Sequence, residues 1–156
     1  MKPLFVVYGA FTEGGEYREY FDVILTDEGV VLVDIGKLPR IFKKRPALPR
    51  LVERQLLRIF KERYRVMYTS EQIEELVRRY GAKFIPKKEI RQVVLRDYEL
   101  TLSQALAKVF KNSKEKLLLM EVVCTSGRVL RLFTALKLKE RLKKSLKSLG
   151  LEVVSG

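Results

Sequence analysis

A chain of 156 residues, 47% hydrophobic and 33% charged, carries enough apolar material for one buried core and is not composed like a disordered polymer. Its formal net charge of +13 points to an anionic partner, and no apolar run approaches the roughly 20 residues that span a bilayer. The absence of histidine excludes Ser-His-Asp and Cys-His catalysis and His-based zinc sites, and one cysteine, Cys124, cannot close an internal disulfide. A reducing, cytoplasmic setting is therefore expected, because no secretory-signal pattern opens the chain. The richness in Lys, Arg and Glu resembles a thermophile's composition.

Residues 3–11 ("PLFVVYGAF") and 17–26 ("YREYFDVILT") read as strands. In the second, Phe21, Val23 and Leu25 share one face, and Tyr20, Asp22, Ile24 and Thr26 the other. Asp27-Glu28-Gly29 reads as a turn in which Asp27 bonds the backbone two residues on, and Val30–Ile35 returns as a strand ended by Gly36. Residues 37–49 ("KLPRIFKKRPALP") read as a basic connector, and a helix is expected to begin near Pro49. Thr69 and Gln72 stand at capping-box spacing before a second helix, whose buried face is expected to hold Ile73, Leu76, Val77 and Tyr80 and whose end is marked by Gly81. A strand through 82–85, a turn at Pro86 and an extended segment 90–96 follow. Thr101 and Gln104 suggest a short helix over 101–111. "KLLLMEVVCTSGRVLRLFT" reads as a hairpin turning at Ser126-Gly127. In the closing amphipathic helix, Leu138, Leu142, Leu146 and Leu149 form the apolar face. Antiparallel hairpins and one terminal helix make this one domain over 1–156, either α+β or a small barrel capped by a helix.

Charge is distributed unevenly. Residues 1–36 carry 2 basic and 7 acidic groups, whereas residues 37–65 carry 11 basic and only 2 acidic. At helical spacing, Arg50, Arg54, Arg58, Lys61 and Arg65 line up as a cationic ridge, with Lys43, Lys44 and Arg45 beside it. Such a ridge suits phosphates or acidic side chains, and a solvated helix face would usually carry more balancing acids four residues away.

Four segments resemble, in order, those of prokaryotic pleckstrin-homology-like domains: the hairpin "VILTDEGVVLVDIG", the stretch "FIPKKEIRQVVLRD", the hairpin "LLLMEVVCTSGRVLRLFTA" and the terminal amphipathic helix. The resemblance covers residues 17–36 and 82–150 and leaves 37–81 as a basic helical insertion, a departure from the minimal pattern. It implies a partly open barrel plugged by that helix and a non-catalytic binding module for lipid headgroups, peptides or proteins. It does not imply phosphoinositide binding, since the first hairpin is acidic, with Glu13, Glu16, Glu19 and Asp22.

The alternative is a nucleic-acid-binding protein, including a Mg²⁺-dependent nuclease that uses Asp22, Asp27 and Asp34 with Lys37, Asp22 and Asp34 being cross-strand neighbours around a cation. Lys37 stands three residues after Asp34 where the usual signature has two. The simpler reading of both acids is solvent exposure. "CTSGR" (124–128) places Cys and Arg too close for a phosphatase loop, so Cys124 is expected to be a small buried hydrophobe. No cofactor is expected. The partner reading is an anionic macromolecule, protein or nucleic acid. A peripheral membrane contact ranks below it, and pairing of two copies through the leucine faces of the inserted helices stays open.

Overall fold

The computed structural model describes residues 1–12, 17–39, 67–101 and 114–156. Within them the chain forms β1 (Pro3–Phe11), β2 (Tyr17–Thr26), β3 (Gly29–Pro39), α1 (Ser70–Arg79), β4 (Lys83–Pro86), β5 (Ile90–Thr101), β6 (Lys114–Cys124), β7 (Val129–Ala135), α2 (Lys139–Ser148) and β8 (Val153–Ser155). The strands make one eight-stranded sheet in the order β4-β3-β2-β1-β7-β6-β5-β8. All neighbours run antiparallel except β8, which adds in parallel to β5. Among the described residues the two halves, β1–β4 and β5–β8, are joined in the sheet through the pair Phe11–Phe133. The sheet does not close, so the fold is α+β with a partly open sheet.

Alternation of side chains explains where the core sits. Val7, Val23, Leu25, Val30 and Leu32 from one half share a buried cluster with Val93, Leu95, Leu118, Met120 and Leu132 from the other. The sheet therefore curls around its own apolar face. α2 seals it with Leu142 and Leu146, both fully buried, and Leu149. Each such leucine contributes roughly 1.5–3 kcal/mol by leaving water. α2 has no side-chain N-cap and follows a 3₁₀ turn at Leu136–Leu138; packing, rather than capping, holds it.

β2 departs from simple alternation: every residue from Tyr20 to Thr26 is buried. Its second face, with Ile24 and Val31, is covered by Ile73 and Val77 of α1. The capping box forms as expected: Thr69 Oγ1 accepts the Gln72 N–H at 3.2 Å, and Gln72 Oε1 accepts the Thr69 N–H at 3.1 Å. Gly81 is left-handed, with φ 70°, which lets the Ala82 N–H reach back to the Leu76 carbonyl at 3.1 Å.

Several local expectations are corrected. Tyr80, expected on the buried face of α1, is 73% exposed, because the helix has ended at Arg79 and Tyr80 is its C-cap residue, off the helical path. Gly36 does not end β3. A bulge opposite Tyr20 and Phe21 lets the strand run on, and Lys37, Leu38 and Pro39 pair with Glu19, Arg18 and Tyr17. Thr101 closes β5 instead of capping a helix, and residues 102–111 lie outside the described residues. The 27–29 turn is organised by Thr26: its hydroxyl accepts from the Glu28 and Gly29 N–H groups and donates to the Gly29 carbonyl at 2.9 Å. Asp27 instead accepts the Lys2 N–H at 2.7 Å, tying the turn to β1's approach. Cys124 ends β6 half-buried rather than buried, because the strand reaches the surface there.

Candidate functional site

The cationic ridge expected from the sequence, Arg50, Arg54, Arg58, Lys61 and Arg65 with Lys43, Lys44 and Arg45, lies outside the described residues. The described ends of that segment are Pro39 at the end of β3 and Met67 before α1.

The hairpin acids do not pair as expected. Asp22 stands opposite Val33, and Asp34 opposite Phe21, so the two carboxylates leave on opposite faces of the sheet. The bulge at Tyr20–Phe21 does not bring them back together. Asp34 is exposed and accepts its own neighbour's N–H, that of Gly36, at 2.9 Å. Asp22 is the reverse of solvent-facing: no part of it is exposed. Among the described residues no three Asp, Glu or Cys side chains converge as metal ligands.

The surroundings of Asp22 explain how a buried carboxylate is tolerated. β1 carries two residues, Tyr8 and Gly9, between its partners Val7–Val23 and Ala10–Phe21, so a bulge stands opposite Asp22. Gly9, with φ 69°, turns its N–H out of the ladder and donates it to Asp22 Oδ1 at 3.1 Å. The Tyr68 hydroxyl donates to Oδ2. Both oxygens are therefore bonded, which offsets the cost of burying the charge. Tyr8 stacks on Tyr68 with ring centroids 6.4 Å apart, and burial, then the charge of Asp22, pushes the Tyr8 hydroxyl above its usual range. A carboxylate enclosed this way works as a hydrogen-bond hub that joins β1, β2 and the segment entering α1. It offers no open position to a substrate or a metal.

A second buried carboxylate, Glu121, lies between Arg96 at 3.3 Å and Arg131 at 3.0 Å on the outer face of β5–β7. It neutralises those arginines locally.

The outward face of α2 differs. Lys137, Arg141, Lys144 and Lys147 are exposed, and Lys143 is half-buried beside them. Glu140 is the one acid among them, while Lys139 is engaged by Asp97 at 2.7 Å. Arg141 lies over the Phe5 ring at 5.1 Å, which steadies the guanidinium. Because Leu142 and Leu146 must point inward, helical geometry places the lysines outward together.

Sequence reasoning missed the roles of Tyr8, Gly9 and Tyr68. A glycine inside an apolar strand was the available signal, since it marks a bulge or a close backbone approach. An Asp amid "YFDVIL" was the other. No described helix is long and apolar enough to cross a membrane. A scan against protein-family models gave no match, and neither did a comparison with curated protein sequences.

Proposed function

We propose that this chain is a non-catalytic binding module of the pleckstrin-homology-like kind that recognises an anionic partner through its basic segment. The observation that carries the reading is the 11 basic against 2 acidic residues over positions 37–65. Two mainly antiparallel half-sheets packed around one core with a terminal helix are in keeping with such a barrel. Arg50, Arg54, Arg58, Lys61 and Arg65, with Lys43, Lys44 and Arg45, are the contact residues, and they neutralise phosphates or carboxylates. The nuclease alternative draws no support from the hairpin acids, because Asp22 is enclosed and Asp34 faces the other way.

The test is a binding panel of duplex DNA, poly-glutamate and phosphatidylserine vesicles, run with the parent chain and with Arg50→Gln/Arg54→Gln/Arg58→Gln. At least one polyanion is expected to bind the parent and to bind the variant at least about tenfold more weakly. Equal affinity in the two proteins would remove the basic segment from the reading.

A further inference from the structure

Resting on the reading of an anionic partner, we infer that the outward face of α2 is a contact surface for the phosphate backbone of a nucleic-acid duplex, bound without regard to sequence. Lys137, Arg141, Lys143, Lys144 and Lys147 stand on this face with Glu140 as the single acid, and none of the five is in an ion pair among the described residues. Four of these cations on one short helix, with Lys137 in the turn before it, form a concentrated positive field.

The chemistry of the face separates the classes of polyanion. A membrane-surface helix sinks its apolar side into the headgroup layer. Here that side is spent: Leu142 and Leu146 are fully buried in the core. Protein interfaces concentrate aromatic and apolar side chains and are poor in lysine. This face is mainly lysine, and neither α2 nor the turn before it contains an aromatic residue. Single-stranded nucleic acids are held by stacking bases on aromatic rings. The Phe5 ring beside this face lies under Arg141. What remains is a regular array of phosphates met by mobile point charges, which a duplex backbone supplies.

The experiment is a salt titration of the full chain with a mixed-sequence DNA duplex, comparing the parent with Lys137→Gln/Lys144→Gln/Lys147→Gln. Each phosphate contact contributes about −0.9 to the slope of log K against log salt, so the triple variant is expected to flatten that slope by about 2.7. The double variant Lys137→Gln/Lys147→Gln, which leaves more of the helix intact, should flatten it by about 1.8. Circular dichroism melts confirm that the variants compared are folded. An unchanged slope in the folded variants overturns the inference. If the slope then flattens only in Arg50→Gln/Arg54→Gln/Arg58→Gln, the basic-segment reading stands and this surface falls alone. A parent chain that binds phosphatidylserine vesicles or poly-glutamate but no duplex also overturns the inference while leaving the general reading in place.

Discussion

α1 and α2 are both ten-residue amphipathic helices, yet they serve the fold in different ways. α1 lies on the outside of the β1–β4 half and carries Glu71, Glu74 and Glu75 against Arg78 and Arg79, an arrangement that suits its dipole. It is capped at both ends, and a single residue, Ile73, is fully buried. α2 carries five basic residues against one acid, lacks a side-chain cap and drives two leucines into the shared core. Local bonding defines the first helix and tertiary burial the second. Amphipathic spacing is common to both, so it cannot say which partner each face will meet.

The largest effect is expected from the α2 side. Leu146→Ala should destabilise the domain by about 3 kcal/mol, since its cavity opens where both half-sheets meet and neither can collapse freely. Urea unfolding would show one cooperative transition at a lower midpoint. Ile73→Ala should cost less, about 2 kcal/mol, because α1 packs on the outside of one half of the sheet and can settle toward it. A larger loss for Ile73→Ala would reverse the ranking of the two helices.

Gly29→Ala tests the hairpin on which α1's half of the sheet depends. Gly29 has φ 154°, and a Cβ there would sit 2.2 Å from the Ile85 carbonyl oxygen, so β4 would have to move away. A loss of about 2–3 kcal/mol is expected, read as a fall in melting temperature.

The Asp22 hub gives smaller effects. Tyr68→Phe leaves one buried carboxylate oxygen without that donor and should cost about 1–2 kcal/mol, with amide exchange in α1 accelerating before that in α2. Uniform acceleration in both helices would show that the hub does not act on α1 in particular. Tyr8 adds a pH dependence. Its folded-state pKa lies above the ordinary value near 10, so the folded protein holds the phenolic proton more tightly than the unfolded chain does. That contribution is present below pH 10 and is lost as the pH rises through the folded value. In a spectrophotometric tyrosinate titration, Asp22→Asn should move Tyr8 back toward 10, because the Asp22 charge is one of the two causes of the shift.

The smallest effects are on the helix surfaces. Arg79→Gln breaks an exposed pair with Glu75 at 3.5 Å and should change stability by no more than about 0.5 kcal/mol. Lys144→Gln/Lys147→Gln should likewise leave the melting temperature near that of the parent, because these side chains make no ion pair among the described residues. Substantial melting-point loss there would mean that the basic face supports the fold itself.

Much of the architecture was legible in the sequence. The first three strands, the Thr69–Gln72 capping box, the Ser126-Gly127 hairpin and the leucine face of the last helix all follow from local rules of spacing and turn chemistry. The site was far less legible. Alternation along β2 separates Asp22 from Phe21 but does not reveal that α1 covers the Asp22 face. Nor does it show that a bulge in β1 aims the Gly9 N–H at that carboxylate. The expected pairing of Asp22 with Asp34 failed because the two-residue turn at Asp27-Glu28 sets a register that puts Val33 opposite Asp22 and Asp34 opposite Phe21, and the bulge comes only after them.

By itself the sequence determined the features that depend on near neighbours: the strand and helix periods, the capped start of α1, the inward leucines of α2 and a strongly basic charge balance. Only the tertiary structure decided that the sheet stays open and that Asp22 is enclosed between β1, β2 and Tyr68. The physical reason is distance along the chain. Tyr68 and Asp22 are separated by 46 residues, and no local propensity encodes a hydrogen bond that exists only after two elements have packed.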